Sequence, residues 1–323
     1  MTAAPKRQRG IALVVALLTV ALAVVLIAGL LDRGELSLAR TRNALRASQA
    51  EAYAQGLEAY AAEVLVKSQE RGDDSNASLW AAPMPPETVP GGLLNASMRD
   101  LNGCFNLNNL SLPSPDGGTW LAIFNRLLGV VGVDASLTPA IQAWMSVGDD
   151  ADVTDGVYLA QPVPYRSAQR VFTHVSELRL VRGVDSGVYA RLAPYVCALP
   201  AGTPINVNTA SVPVLQSLGI PQTKAESLWQ NGVAQWSNDF ATQWTNQYDV
   251  SLPQAVSNQR ITGVDSNYFL ARADVRLDDI VFTFYSVLER SLGTGVRVVG
   301  RSRGSDDALV APVAIASPDP GLH

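Results

Sequence analysis

A chain of 323 residues with 29 acidic and 24 basic side chains carries a net charge of −5 at neutral pH. Lys6, Arg7 and Arg9 supply three of the positive charges within the first ten residues, so the remainder stands at about −8, a balance that disfavours nucleic acid or anionic lipid as a partner. Two histidines, two cysteines without Cys-x-x-Cys spacing, and no phosphate loop, zinc signature or nucleophile elbow leave an enzyme without catalytic candidates, and the chain is read as a non-enzyme.

Lys6-Arg7-Gln8-Arg9-Gly10 leads directly into a charge-free run, Ile11 to Leu31, closed by Asp32-Arg33. The run makes roughly 31 Å of helix, the thickness of a bilayer's hydrocarbon core. It is too long for the core of a cleaved secretory signal, and no polar exit region follows. Helical period instead continues through Leu36, Ala39, Ala47, Ala50, Tyr53, Ala54, Leu57, Tyr60, Ala61, Val64 and Leu65. That predicts one rod of about 55 residues, membrane-embedded at 11–31 and an outer stem at 32–71. Positive charge before the run and no comparable density after it place the leader in the cytoplasm and the bulk outside. In a Gram-negative cell this is a single-pass inner-membrane protein facing the periplasm.

The helical pattern breaks at Arg71-Gly72-Asp73-Asp74, and the stretch to Gly92, rich in Pro and Gly, is expected to be irregular. Leu93 to Leu110 reads as two strands meeting at a turn near Asn102-Gly103, followed by a loop from Ser111 to Gly118. From Thr119 the period is helical: Trp120–Gly129, Pro139–Val147, Val175–Val181, Ser186–Val196, Ala210–Leu218, Lys224–Trp229 and Ala234–Tyr248, with one strand at Ile205–Asn208. Alternation returns at Tyr268–Leu277, turns at Asp278-Asp279 and resumes over Ile280–Arg290. The order of sheet, helices and sheet predicts an α+β fold. A helical domain at 119–262 is inserted between strands of 72–118 and 263–299, with a disordered tail at 300–323.

Asp149, Asp150, Asp152 and Asp155 crowd seven positions flanked by Gly148 and Gly156. Hard oxygen ligands in a glycine-containing loop suit calcium, although no EF-hand pattern occurs, and an exposed acidic loop is the other reading. For Cys104 and Cys197 an oxidising compartment permits a disulfide, and two separate buried thiols are the alternative. His174, before Ser176-Glu177, is expected to be a cap or surface residue, and His323 ends the tail.

The basic leader ending at Gly10, directly before the rod, resembles the type IV pilin and pseudopilin signal. The resemblance implies that a prepilin peptidase cuts between Gly10 and Ile11 and methylates the new amine of Ile11. Most members of that family carry Glu at the fifth mature position, to neutralise the amine of the neighbouring subunit; here the position is Val15. A missing acid suits a subunit with nothing ahead of it in the fibre, because an unpaired charge in apolar surroundings is costly.

Internal motifs narrow the resemblance. They are Asp100-Leu101-Asn102-Gly103-x-Phe105-Asn106-Leu107-Asn108, Tyr165-Arg166-Ser167-Ala168 leading to the segment Val175 to Val184, Pro204-Ile205-Asn206-Val207-Asn208-Thr209-Ala210, and Tyr268-Phe269-Leu270-x-Arg272-Ala273-x-Val275. In that order, over nearly the whole chain, they are similar to the protein K family of type II secretion systems, the GspK minor pseudopilins. The resemblance implies a long N-terminal helix on an antiparallel sheet with a large helical insertion. It also implies a subunit at the tip of the periplasmic pseudopilus, initiating or limiting its assembly with the I and J minor pseudopilins, in support of export of folded proteins across the outer membrane. The pseudopilus itself and the inner-membrane assembly platform are further implied partners. The same family is associated with calcium in the insertion, although its usual acids after the tryptophan are here Ser146 and Gly148. One segment sets up an alternative: Ile205 to Ser211 with Leu218-Gly219-Ile220 resembles the helix-hairpin-helix of DNA-uptake receptors, which suggests a DNA-uptake tip pseudopilin. Pro221, which has no N–H, and Lys224 as the single nearby cation argue against phosphate binding, so Asn208 or Thr209 is expected to cap a helix and no nucleic acid is expected.

Overall fold

The computed structural model describes residues 8–69, 74–82, 84–230, 260–291 and 295–304. The chain divides into two units, Met1–Tyr53 and Ala54–His323. In chain order the helices are α1 Gln8–Gln69, α2 Asp116–Val130, α3 Thr138–Met145, α4 Asp149–Leu159, α5 Ser186–Leu192, α6 Val212–Ser217 and α7 Gln222–Gln230. The strands are β1 Glu87–Val89, β2 Gly92–Asp100, β3 Phe105–Asn106, β4 Val196–Cys197, β5 Ile205–Asn206, β6 Thr262–Gly263, β7 Tyr268–Leu277, β8 Ile280–Ser291 and β9 Gly295–Arg303.

In the first unit α1 exposes its apolar side chains all round over Ile11 to Leu31, Leu30 among them. A helix with no polar face is matched to lipid rather than water. In the second unit the same helix is amphipathic, burying Ala54, Leu57, Ala61, Val64 and Leu65 at steps of three and four. Those residues meet a sheet that, among the described residues, has five antiparallel strands in the order β1-β2-β7-β8-β9. The expected β7–β8 hairpin forms with Leu277 opposite Ile280 and Asp278 at φ +50°, a backbone state that a short polar side chain tolerates in a tight turn. Alternation assigns Phe269, Ala271 and Ala273, with Phe284, Ser286 and Leu288 opposite them, to the face under α1. Leu65, Trp80, Phe269 and Leu288 form the centre of that layer, and the Trp80 and Phe269 rings meet edge to face at 5.3 Å. Glu58 on α1 reaches the edge strand, accepting from Arg301 Nε and Nη2 at 2.7 Å each and from the Ser286 hydroxyl.

The helical insert leaves the sheet after Asp100 and re-enters at Tyr268, although Asp100 pairs directly with Phe269 across β2 and β7. Its core is built on α2, whose Trp120, Ile123, Phe124, Leu127 and Leu128 are buried at helical spacing. Phe105 packs against Trp120 and Phe124 at 5.7 and 5.0 Å.

Several expectations are corrected. Leu93 to Leu110 is not a hairpin: β3 leaves the main sheet and pairs in parallel with β4. Phe105, Leu107 and Leu110 belong to the insert core, which moves the boundary from Gly118 to Asp100. The stretch expected to be irregular before Gly92 contains a 3-10 turn at Leu79–Ala81 and strand β1. The segments at Val175–Leu180 and Ala193–Tyr195 are 3-10 rather than α-helical. The strand β9 runs through Arg303, beyond the expected start of the tail at 300, because its alternate residues Val296, Val298 and Ser302 turn inward along β8 while Arg297, Arg301 and Arg303 are exposed. The helix expected at Ala234–Tyr248 and the tail from 305 lie outside the described residues.

Burial pushes the Glu58 carboxyl up, but hydrogen bonds from Arg301 and Ser286, with the Arg301 charge, outweigh it and hold the pKa below the ordinary value. A lowered acid contributes stability that is present at neutral pH and lost as pH falls through its folded pKa. Glu58→Gln is therefore expected to lower the melting temperature of the full-length protein in detergent micelles at neutral pH, with the gap to the parent closing as the pH falls below the ordinary glutamate range. Identical melting at neutral pH would show that the α1–β9 contact contributes nothing.

Candidate assembly site at the junction of stem, sheet and insert

Stem, sheet and insert of the second unit meet at a buried polar cluster. Arg290, an inward residue near the end of β8, forms an ion pair with Asp74, with side chains 4% and 2% exposed. Its remaining donors reach Leu65 O on α1 at 3.2 Å and Ser266 O before β7 at 2.7 Å, and its guanidinium lies over the Phe269 ring at 4.9 Å. Asp74 in turn accepts from Trp80 Nε1 at 3.0 Å and Ser266 N at 2.9 Å. Asn206 of β5 joins the insert to this cluster, donating to Asp74 O at 3.1 Å and Ser266 Oγ at 2.7 Å. Sequence reading missed Arg290 as a functional residue. The available signal was parity, since it shares the inward phase of Phe284, Ser286 and Leu288 and stands where an apolar residue is expected.

The asparagine-rich motifs serve the same junction. Asn102 accepts from the amides of Asn267 and Tyr268 at 3.2 and 3.0 Å and donates to Pro204 O at 3.3 Å, so it clamps both chain crossings between sheet and insert. Asn108 donates to Phe172 O and Leu199 O at 2.9 and 2.8 Å and accepts from Phe172 N at 2.8 Å. Asn106 accepts from Leu199 N at 3.0 Å, and Asn109 accepts from Gly202 N at 2.8 Å. These side chains act as backbone surrogates where the strands are too short to satisfy buried peptide groups. Gly103 is required by space, because a Cβ there would sit 2.8 Å from Thr209 O. Beside this junction a cleft of about 820 Å³ opens, lined by Leu270 and Val287 of the sheet and by Val196, Leu199 and Tyr189 of the insert.

Among the other candidates, Cys104 and Cys197 are joined in a disulfide with Cα atoms 5.9 Å apart, alongside the β3–β4 pair. His174 is an exposed cap: its Nδ1 accepts from Ser176 N at 3.1 Å, while Glu177 accepts from Thr173 N at 2.8 Å and His174 N at 3.2 Å. Ile11 and Val15 lie exposed on α1, and Gly10 falls within the same helix.

The acidic segment is a helix, α4, and not a loop. Asp150 and Asp152 are exposed on it, whereas Asp155 is buried and bonded to the Arg166–Gln169 segment. Backbone and hydroxyl hydrogen bonds from Ser167, with Arg166, hold its carboxyl below the ordinary range. Among the described residues no three acidic, histidine or cysteine side chains converge on a point that could hold a metal ion, and Asp155, taken up by protein donors, does not fit the ligand role expected of it beside Asp149, Asp150 and Asp152.

The hairpin-like segment is closed to phosphate. Ile205 N donates to Ile261 O, Asn206 N to Asn102 O, Val207 N to Gly263 O and Ala210 N to Asn206 O, all at 2.8 to 3.0 Å. Its amides are consumed inside the protein. The expected cap at Asn208 or Thr209 is also corrected: α6 starts after Ser211, and the Thr209 hydroxyl instead donates to Asp100.

Comparison with known proteins agrees with this architecture. A family model described as type II secretion system (T2SS), protein K, matches residues 103–201. The chain is 32% identical to the type II secretion system protein K of Pectobacterium carotovorum subsp. carotovorum, over 92% of this chain and 97% of that protein. It is also 32% identical to the protein of the same name from Pseudomonas aeruginosa, over 92% and 93%. Among solved structures, a chain of the GspK-GspI-GspJ complex from the enterotoxigenic Escherichia coli type 2 secretion system matches with a TM-score of 0.71 at 27% identity, covering 82% of this chain and 99% of that one.

Burial pushes the Asp100 carboxyl up to about 6, opposed by hydrogen bonds from Thr209, Asn102 and Ser266 and reinforced by the Asp74 charge. A raised acid favours the fold below its unfolded pKa, and that advantage is lost as pH rises through the folded value. Asp100→Asn is thus expected to melt higher than the parent at about pH 7.5 and level with it at about pH 4. A variant less stable than the parent at the higher pH would contradict this account of the junction.

Proposed function

The chain belongs to the type II secretion system protein K family, and on that footing we propose that it heads the periplasmic pseudopilus and closes the fibre with its helical insert. It is a minor pseudopilin of type II protein secretion, and its partners are the I and J minor pseudopilins, the counterparts of those found with its structural relative. It is anchored by a single apolar helix and faces the periplasm; the positively charged leader supports the inner membrane as the anchoring bilayer. Its role is that of an assembly subunit without chemistry of its own, in keeping with a centre whose charged groups are bonded to one another.

The observation that carries the tip position is where the insert stands. It departs after Asp100 and returns at Tyr268, at the end of the sheet where Leu65, Phe269 and Arg290 meet, which is the end reached by the last turns of α1. A subunit stacking on that end would meet a helical body instead of a free sheet edge. Val15 supports the same position, since it offers no carboxylate to the amine of a subunit ahead. The stem from Ser37 to Val64 supplies the lateral contact: Ala59 and, just beyond it, Val66 are exposed opposite the buried Leu57, Ala61 and Val64, with exposed Gly56 and Tyr60 on the flank between, a mixed surface that suits partner helices. Prepilin peptidase would remove residues 1–10 and methylate Ile11 before the subunit enters the assembly platform.

Co-expression of the full chain with its I and J partners, followed by light scattering of the detergent-solubilised complex, is expected to give a one-to-one-to-one particle. N-terminal sequencing of the same material is expected to begin at Ile11. A K subunit that stays alone, or one that keeps its leader in cells with active peptidase, would sink the reading.

A further inference from the structure

We infer that Asp155 fastens the α3–α4 end of the insert through protein donors alone, in the place where the sequence leads one to expect calcium, so that this end of the insert holds its fold independently of that ion. The inference does not depend on the tip position proposed above. It follows from the acceptor capacity of one carboxylate. An ionised Asp offers about four lone-pair positions on its two oxygens. Oδ1 of Asp155 accepts from Ser167 N at 2.9 Å and Ser167 Oγ at 2.8 Å, and Oδ2 accepts from Arg166 Nη1 and Gln169 Nε2, both at 3.1 Å. All four positions are filled, and none is left for a cation. The positive charge that a metal would bring is supplied by the Arg166 guanidinium.

The geometry around the carboxylate points the same way. Helical rotation puts Asp150 about 140° round α4 from Asp155, and Asp150 and Asp152 are both exposed. Gln169 is held at φ +50°, a state that non-glycine residues adopt rarely. Its amide donates to Trp144 O at 3.2 Å while its side chain donates to Asp155, so one residue ties the end of α3 to the middle of α4. Beneath this clasp the Trp144, Tyr158 and Tyr165 rings pack mutually at 5.2, 6.4 and 5.3 Å. A segment fixed by four hydrogen bonds, a backbone bridge and an aromatic trio has no slack for a metal to take up.

The test is thermal melting of the full-length protein in detergent micelles, in EGTA and in excess calcium, for the parent, Asp155→Asn and Ser167→Ala. The parent is expected to melt at the same temperature in both buffers. Asp155→Asn should melt lower by about 4 °C or more in both, and Ser167→Ala lower by a smaller margin. A calcium-dependent rise in the parent overturns the inference, and so does an Asp155→Asn variant that melts with the parent. The parent titration needs no variant, so a substitution that fails to fold leaves the inference open to refutation. Limited trypsin digestion gives the local readout. Cleavage after Arg166 and Arg170 is expected to quicken about tenfold in Asp155→Asn and to be indifferent to calcium in the parent. Protection of those bonds by calcium in the parent counts against the clasp.

Discussion

Arg290 and Asp74 face each other out of reach of water, and the second unit is arranged around keeping them satisfied. A buried ion pair returns its desolvation penalty only when the remaining donors and acceptors also find partners. Here those partners come from different parts of the chain: Leu65 O from α1, Ser266 O from the approach to β7, Trp80 Nε1 from the 3-10 turn and Asn206 from the insert. Displacing any one of them leaves a buried donor or acceptor unsatisfied in a low-dielectric interior. Apolar contacts such as Leu65 on Phe269 supply most of the cohesion but accept small shifts in angle. The guanidinium does not, and it therefore sets the register between helix, sheet and insert.

The molecule separates adhesion from specificity along its length. In the first unit, over Ile11 to Leu31, the helix is uniformly apolar and suits the bilayer on every side. In the second it has one face against the sheet and the other turned outward, with Tyr60 and Val66 available to neighbours. Beyond it the insert uses asparagine amides to close short parallel pairs that could not hold themselves, since β3 with β4 and β5 with β6 contribute two residues to each partner. A minor pseudopilin must present a fixed surface at a fixed height, and this polar stitching makes the insert a rigid extension of the sheet.

The sequence made α1 and the β7–β8 hairpin plain, because each repeats one period over many residues: apolar steps of three and four in the helix, alternation on both sides of Asp278-Asp279 in the hairpin. The membrane run was equally plain from its lack of charge. The extended character of Phe105-Asn106 and Ile205-Asn206 was legible, but their two-residue length and their parallel partners Val196-Cys197 and Thr262-Gly263 were not, since buried pairs this short carry no alternation to read. Asn102, Asn106 and Asn108 stood out as a motif, but the partners that matter lie 64 to 166 residues away in the chain, beyond the reach of local pattern. The helix α4 reads as a loop because its aspartates dominate its composition, and nothing local distinguishes the buried Asp155 from its exposed neighbours Asp150 and Asp152. The strand β9 was cut short because Gly300 and its arginines read as the start of a polar tail, whereas their alternation continues to Arg303.

The pairing of β2 with β7 has a consequence in time. A chain that enters the periplasm from its N-terminal anchor delivers α1 and β2 first, yet β2 finds only the three residues of β1 until the entire insert has crossed. Arg290, which locks the junction, arrives later still. The insert can condense on α2 while the sheet beneath it is half built, with the long edge of β2 unpaired and open to foreign strands. Translocation order thus makes the closing of the frame the last event in this subunit's maturation, and a chain that stalls before β7 presents a finished head on an unfinished body.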